Sequence, residues 1–274
     1  MSADRPDPVL SVVTPVRDMA RFLPETLDSV AALRTPHEHI VFDGESNDGT
    51  VELLEGRDDP DLRWTSEPDR GQTHAVNKGL TRSRGRLLAW LNGDDAYVSE
   101  QVDRAIDHLL AHPEVDALFG GIDFVDEGGE VFREHRPSGW SWRRYLYLHT
   151  YLPTPTVIFR RELWERTGPL DESYADAADY DFYLRLLRDA RVEVIGEPLV
   201  RFRYHPLSKS SSDVWTQHDE ALAIRLGWAR GPLGRAFMRG YEGAKRAVLP
   251  RISNWPHPEP SALTRLLGRG RARD

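Results

Sequence analysis

The chain has 274 residues, of which 39% are hydrophobic and 29% are charged, the balance of an ordinary globular protein. It contains no cysteine, which excludes disulfides, thiolate metal sites and a cysteine nucleophile, so any metal would need oxygen or imidazole ligands. The net charge of -8 is uneven, because residues 225–274 carry eleven basic and three acidic side chains and the preceding part is therefore strongly acidic. The polar start and the lack of a run of about 20 apolar residues predict a cytoplasmic protein without a signal peptide or spanning helix.

The first half of the chain alternates short apolar runs with segments of helical spacing. Strands are predicted near residues 9–13, 39–42, 62–65, 87–91 and 117–119, and helices near residues 23–30, 50–54, 74–80 and 102–110. This alternation predicts an α/β fold, with a mostly parallel sheet and helices on both faces. Ligands of such sheets bind beyond the carboxyl ends of the strands, which is where several of the acidic residues fall.

The second half of the chain has a different pattern. Glu127-Gly128-Gly129 predicts a hairpin between residues 122–126 and 130–134, followed by a helix near 180–187 and a strand near 199–204. Scattered Gly and Pro after residue 225 predict short helices on a loose tail. We therefore expect a catalytic domain over 1–224, with halves near 9–120 and 121–224, and a basic extension over 225–274.

The sharpest local feature is the turn Asn92-Gly93-Asp94-Asp95, directly after an apolar strand. Two adjacent carboxylates repel one another unless a cation or hydrogen-bond donors compensate. A hard divalent ion such as Mn²⁺ or Mg²⁺ would fit, with phosphate oxygens completing its shell. The same residues are also typical of an ordinary turn, so spacing alone leaves both interpretations open.

Two further loops carry acidic and glycine residues. In the segment 43–50, Asp43 could accept hydrogen bonds from a nucleobase or ribose. Asp48 and Thr50 are explained equally well as caps of the following helix. The segment 67–72, which leads to Asn77-Lys78-Gly79, is by itself only a loop and a helix.

Taken in order, the motifs resemble the family 2 glycosyltransferases of GT-A fold. The resemblance covers residues 9 to about 205 and rests on SVVTPVRDMARFLPETLDSV, IVFDGESNDGT, SEPDRGQTHAVNKGL, GRLLAWLNGDDAY and DYDFYLRL. Each motif is weak alone, and the ordered set is specific. It implies inverting transfer of a sugar from a nucleoside-diphosphate sugar, with UDP as the default carrier, in polysaccharide or glycoconjugate synthesis.

The resemblance also implies roles for individual residues. A nucleotide-sugar contact is implied at Thr14, Pro15, Asp43, Asp69, Asn77 and Asp94. Asp95 and His205 are expected to hold Mn²⁺ or Mg²⁺, and Asp179 to act as the catalytic base, with Asp181 as its competitor. The chain departs from the family pattern where Ala178 precedes the base and where His74 replaces an acidic residue.

The sequence fits two other functions less well. A nucleotidyltransferase or metal-dependent phosphohydrolase needs a phosphate-binding glycine loop or an aspartate nucleophile after the first strand, where this chain has Thr14-Pro15-Val16-Arg17. A non-catalytic sugar-nucleotide-binding protein would have little use for Asp179.

The expected partners are the sugar nucleotide and a carbohydrate or lipid-linked acceptor. The aromatic residues within 140–151 suit either sugar stacking or core packing. The basic extension suits weak contact with an anionic membrane at its inner face, and a solvated terminus is an equal alternative. Nucleic acid is not expected, because the acidic body would oppose it.

Overall fold

The computed structural model describes residues 7–205 and 214–252, apart from the side chains of 214–216 and 248–252. The described part holds one nine-stranded sheet. Its strands are β1 Leu10–Val16, β2 His37–Asp43, β3 Leu62–Ser66, β4 Leu87–Trp90, β5 Ala96–Tyr97, β6 Ala117–Val125, β7 Val131–His135, β8 Ile158–Arg160 and β9 Val192–Arg203. The helices are α1 Leu23–Ala31, α2 Thr50–Glu55, α3 Gln72–Arg82, α4 Ser99–Ala111, α5 Trp142–Leu148, α6 Arg161–Thr167, α7 Ala178–Leu186, α8 Val214–Trp228 and α9 Gly231–Ile252.

The first four strands of the path form the predicted parallel unit. β1 pairs in parallel with β2 and β4, and β2 pairs in parallel with β3. Both β1 and β4 are buried along their whole length, as expected for strands covered on both faces. In the register of β1, β2 and β3, Val16 lies opposite Asp43 and Asp43 lies opposite Ser66, so the carboxyl ends of these three strands meet at one edge.

The rest of the sheet is mixed. β8 lies antiparallel between β4 and β6, whereas β9 is parallel to β6 and antiparallel to β5. The predicted hairpin is confirmed as β6 and β7, but β6 is longer than expected and β9 has 12 residues. The predicted α/β fold is thus confirmed, with the parallel pairing concentrated in the first half of the chain.

The C-terminal helices differ from the prediction. The prediction of short helices on a loose tail was wrong up to residue 252, because α9 is a single helix of 22 residues. The predicted domain boundary at residue 225 falls inside α8, and residues 253–274 lie outside the described part. Within the described residues, no helix combines the length and apolar character needed to cross a bilayer.

A buried ion pair attaches α9 to the domain. Arg225 is 0% exposed and Glu242 is 1% exposed, with 2.9 Å between Nη1 and Oε2. The other guanidinium nitrogens of Arg225 donate to the carbonyl oxygens of Leu146 and Tyr147 at the end of α5. Although burial opposes it, a hydrogen bond from His218, the charge of Lys245 and a hydrogen bond from Arg225 lower the pKa of Glu242 to about 2. The pair is therefore ionised at neutral pH.

Glu242→Ala leaves the Arg225 guanidinium buried without its counter-charge. We expect it to lower the free energy of unfolding by about 3–5 kcal/mol, measured by urea denaturation. The double variant Arg225→Met/Glu242→Leu is the matched control and should recover most of this loss. Equal stability of Glu242→Ala and the wild type would contradict the anchoring role.

Candidate active site

The turn after β4 is organised by Asn92. Its side-chain oxygen accepts hydrogen bonds from Trp90 Nε1 at 3.0 Å and from Gln72 Nε2, at the start of α3, at 2.9 Å. Its amide nitrogen donates to Asp95 Oδ2 at 3.0 Å. At Gly93 an added Cβ would lie 2.5 Å from Val16 Cγ1, so only glycine lets the turn close over β1. The predicted acidic turn therefore has one defined conformation.

The two aspartates of this turn have different surroundings. Asp95 is 1% exposed, and its second carboxylate oxygen accepts the backbone N–H of Arg203 at 3.0 Å. Burial, and then the charge of Asp94, raise the pKa of Asp95 well above its ordinary value. The Asp94 side chain is 12% exposed, and its Oδ2 lies 3.0 Å from Nε2 of His205.

Asp95 was expected to be the metal ligand, and this role stays a prediction. Each of its carboxylate oxygens accepts a hydrogen bond inside the protein. The carboxylate that meets His205 is that of Asp94. Asp95 fixes the backbone of the turn to β9.

Arg203 is a central residue that sequence reasoning missed. Its side chain is 3% exposed and donates to the carbonyl oxygens of Asp94, Asp126 and Glu127. It also forms an ion pair with Glu25 on α1. Arg203 therefore ties α1, the acidic turn and the β6–β7 hairpin to the end of β9. The sequence feature that could have identified Arg203 is its position two residues before His205, in a strand with alternating arginines.

Asp43 and Asp69 lie at the shared edge of the parallel strands, as predicted. Asp43 is 1% exposed and accepts hydrogen bonds from the Ser46 N–H and hydroxyl and from the Ser66 hydroxyl. An added Cβ at Gly44 would lie 2.7 Å from Asp69 Oδ2, so the Asp69 carboxylate packs against the residue that follows Asp43. Their contact with a nucleotide stays a prediction.

Thr14 and Pro15, which were expected to contact the nucleotide, lie within β1, and this contact stays a prediction. β1 continues to Val16, and Thr14 is fully buried with its Oγ1 2.9 Å from Nε2 of His39. The loop begins at Arg17, and Asp18 within it has a positive φ of 52°. The Thr14 side chain therefore joins two strands.

Asn77, also expected to contact the sugar nucleotide, has protein partners in the structure. Its amide exchanges hydrogen bonds with the backbone of Leu170, accepting at 2.9 Å and donating at 2.9 Å. It is 8% exposed and donates further to Glu172 at 3.3 Å. The amide is thus used to hold the loop before α7 against α3. His74 accepts the N–H of Arg70 at 3.2 Å, which is a local contact at the start of α3.

Asp179 and Asp181 are distinguished by their partners. Asp179 is partly exposed at the start of α7, and its Oδ2 accepts from Thr154 Oγ1 at 3.2 Å. Asp181 is buried and forms an ion pair with Arg185 at 2.7 Å. Asp181 therefore stabilises its own helix, and the role of Asp179 as the catalytic base stays a prediction.

A second residue missed from the sequence, Glu220 on α8, supports Asp179. Its carboxylate accepts the backbone N–H groups of Ala175, Asp176 and Ala177 at 3.0, 2.8 and 2.9 Å. These groups precede α7, where a carboxylate is stabilised by the unpaired N–H groups of a helix start. Glu220 thus supplies from α8 a carboxylate near the position where Ala178 replaces the family's acidic residue.

Among the described side chains, a separate cluster of possible metal ligands lies at His149, His218 and Glu242. Arg225 binds one oxygen of Glu242, and His218 Nδ1 lies 2.8 Å from the other. The charge of Lys245 also acts on this group. Two cations around one carboxylate disfavour a metal ion there, so the cluster is a structural contact between α8, α9 and the end of α5.

Comparison with known proteins identifies the chain. Residues 11–163, more than half of it, match the family model of glycosyl transferase family 2. The chain belongs to this family. This family 2 glycosyltransferase is 32% identical over 182 residues to the uncharacterized glycosyltransferase Rv1514c of Mycobacterium tuberculosis, covering 65% of the chain and 68% of that relative. It is 23% identical over 214 residues to the uncharacterized glycosyltransferase MJ1057 of Methanocaldococcus jannaschii, covering 74% and 73%. It spans only 36% of a longer relative from Rickettsia felis.

Solved structures confirm the GT-A fold of this family 2 glycosyltransferase. TarS 1-349 of S. aureus, in complex with UDP-GlcNAc, matches with a TM-score of 0.66 at 19% identity, over 89% of this chain and 74% of that chain. The mannosyltransferase PcManGT of Pyrobaculum calidifontis, in complex with GDP-Man and Mn²⁺, matches with a TM-score of 0.58 at 17% identity, over 96% and 80%.

The buried His39 makes the stability of the enzyme pH-dependent. Burial, and then the charges of His37 and Arg57, lower the pKa of His39 to about 3. The unfolded chain binds this proton near pH 6.5, so the stabilising contribution is complete above that pH and is lost as the pH falls toward 3. Between pH 6 and 4, His39 should make the free energy of unfolding of the wild type fall by up to about 1.4 kcal/mol per pH unit, and His39→Gln should remove this part of the slope.

Thr14→Val is the control for this measurement, because it removes the hydrogen bond and keeps the imidazole. Chemical denaturation across pH should show lower stability of Thr14→Val at every pH, with the wild-type slope. An unchanged slope in His39→Gln would contradict the assignment.

Proposed function

We propose that the enzyme transfers a sugar from a nucleoside-diphosphate sugar to an acceptor hydroxyl, with inversion at the anomeric carbon. The observation that carries this proposal is the pairing of Asp94 with His205, together with the placement of Asp179. Asp179 accepts a hydrogen bond from Thr154, which lies in the short helical turn Thr154–Thr156. This turn packs against β4 and β9, the strands that precede the acidic turn and His205, which supports a shared site.

The donor is inferred from the edge of the parallel strands and from the relatives. Asp43 and Asp69 lie where the base and ribose of a nucleotide would be recognised by acceptor groups. The matched structures hold UDP-GlcNAc in one case and GDP-Man in the other. We propose a nucleoside diphosphate as the carrier, with UDP as the first choice.

The donor set at the acidic turn fits Mn²⁺ or Mg²⁺. Asp94 offers a carboxylate and His205 an imidazole, with 3.0 Å between the facing atoms. Two protein ligands leave coordination positions for diphosphate oxygens and water, which is how such ions bind at phosphate-handling sites. When bound, the ion would neutralise charge on the leaving diphosphate. The matched PcManGT structure is a complex with GDP-Man and Mn²⁺, which supports this choice.

Asp179 is proposed as the general base. It would accept the proton of the acceptor hydroxyl as the new glycosidic bond forms and the bond to the diphosphate breaks. A single base on the acceptor side suits direct displacement, which inverts the anomeric carbon. The acceptor is proposed to be a carbohydrate or a lipid-linked sugar, in polysaccharide or glycoconjugate synthesis.

The roles of the adjacent aspartates can be tested separately. Asp94→Asn should weaken Mn²⁺-dependent stabilisation by nucleoside diphosphates about tenfold or more in ligand concentration, with the fold retained. Asp95→Asn places an amide N–H against one of the N–H donors that Asp95 now accepts from. It should therefore lower the free energy of unfolding by about 1–3 kcal/mol, while stabilisation by nucleoside diphosphates still depends on Mn²⁺. Thermal-shift titrations distinguish the two outcomes. The opposite result would return the ligand role to Asp95.

The catalytic role is tested by Asp179→Asn. We expect nucleoside diphosphate release from sugar nucleotides with acceptor extracts to fall about 10²–10⁴-fold, while donor binding is kept. Glu220→Gln probes the support of the base loop and should reduce turnover less, since an amide oxygen can still accept some of the same N–H groups. Full activity of Asp179→Asn would refute the assignment of the base.

A further inference from the structure

The outward face of α9 is apolar although it faces solvent. Leu233 is 85% exposed and Phe237, one helical turn later, is 52% exposed. Small exposed residues continue this side of the helix at positions 236, 240, 244 and 247. The opposite side faces the domain, where Met238 and Glu242 are buried. α9 therefore has two faces that favour burial, and residues 7–205 and 214–247 cover only one of them.

The charge on the exposed side has one sign. Arg235 and Arg239 are exposed beside the apolar stripe, and Arg230 is exposed just before the helix. The only acidic residue of α9 is Glu242, which is buried and paired with Arg225. The exposed face thus combines apolar side chains with guanidinium groups and carries no carboxylate.

The face has a fixed position relative to α5 and α7. Arg225 and Glu242 hold α9 against the end of α5, where Tyr147 contacts Phe237 with 6.5 Å between ring centroids. α5 in turn is bonded to α7, because the Tyr180 hydroxyl donates to the Tyr145 carbonyl oxygen at 2.9 Å. Tyr180 directly follows Asp179. The exposed face is therefore linked by two packing steps to the proposed base.

We propose that this face of α9 docks on the surface of an anionic lipid bilayer. Leucine and phenylalanine would enter the boundary between headgroups and acyl chains, and the arginines would contact lipid phosphates. The acidic body, which carries most of the chain's 44 Asp and Glu, would be repelled by the same surface. The charge distribution would therefore orient the protein with α9 toward the lipid. This goes beyond the proposed sugar transfer and does not depend on the identity of the donor.

A second copy of the chain is the alternative occupant, and charge disfavours it. Two such faces would bring Arg235 and Arg239 of one copy near the same arginines of the other, without carboxylates between them. An anionic lipid surface supplies the missing negative charge. The observations therefore favour lipid.

The test is cosedimentation of the full-length protein with vesicles of phosphatidylcholine alone or with about one third phosphatidylglycerol. We expect binding only to the anionic vesicles and weaker binding at high salt. Leu233→Ser/Phe237→Ser should reduce the bound fraction about tenfold. Leu110→Ser, a 38% exposed position on α4, is the matched control and should bind as the wild type does.

Three outcomes of the vesicle assay would overturn the proposal. These are no binding of the wild type to anionic vesicles, equal binding of the Leu233→Ser/Phe237→Ser variant, or equal binding to neutral vesicles. Equal binding of the variant would assign the membrane contact to residues 253–274. A dimer that the variant converts to a monomer, in light scattering without lipid, would assign the face to a second copy. Unchanged diphosphate release by the variant with a soluble acceptor separates this proposal from the proposed function.

Discussion

The site depends on one connection between distant parts of the chain. The carboxylate of Asp95 accepts the backbone N–H of Arg203, and the Arg203 guanidinium donates to the carbonyl oxygen of Asp94. These bonds join the acidic turn of the first half to the last strand of the second. Because all of these groups are buried or nearly so, leaving either partner unsatisfied would cost more than the net worth of the bonds. The turn and the strand end therefore have one relative position.

That position determines what each neighbour can do. With Asp95 held inside, the chain turns Asp94 toward His205, which comes two residues after Arg203. The ring of His205 is further fixed against Phe22, with 4.6 Å between centroids. On the acceptor side, Thr154 and Glu220 hold Asp179 and the loop before it. The proposed ligands and base are thus supported by neighbours that do not face the substrate, as preorganised sites require.

The parts of the fold that were predictable are those whose signal is local. Buried parallel strands form continuous apolar runs, so β1, β2 and β4 and the edge carrying Asp43 and Asp69 followed from the sequence. The different surroundings of Asp94 and Asp95 did not, because they depend on a backbone N–H more than 100 residues away. Arg203 and Glu220 were missed for the same reason, since their main partners are backbone groups. α9 was misjudged because Arg225 and Glu242 stabilise a helix whose glycines alone predict breaks.

The most direct test of the account is anomalous diffraction at the manganese edge from crystals grown with Mn²⁺ and a nucleoside diphosphate. The account predicts one main peak within coordination distance of both Asp94 Oδ2 and His205 Nε2, with the diphosphate on its open side and Asp179 facing the same cleft. A peak bound by Asp95 without His205, or one at His149, His218 and Glu242, would contradict it.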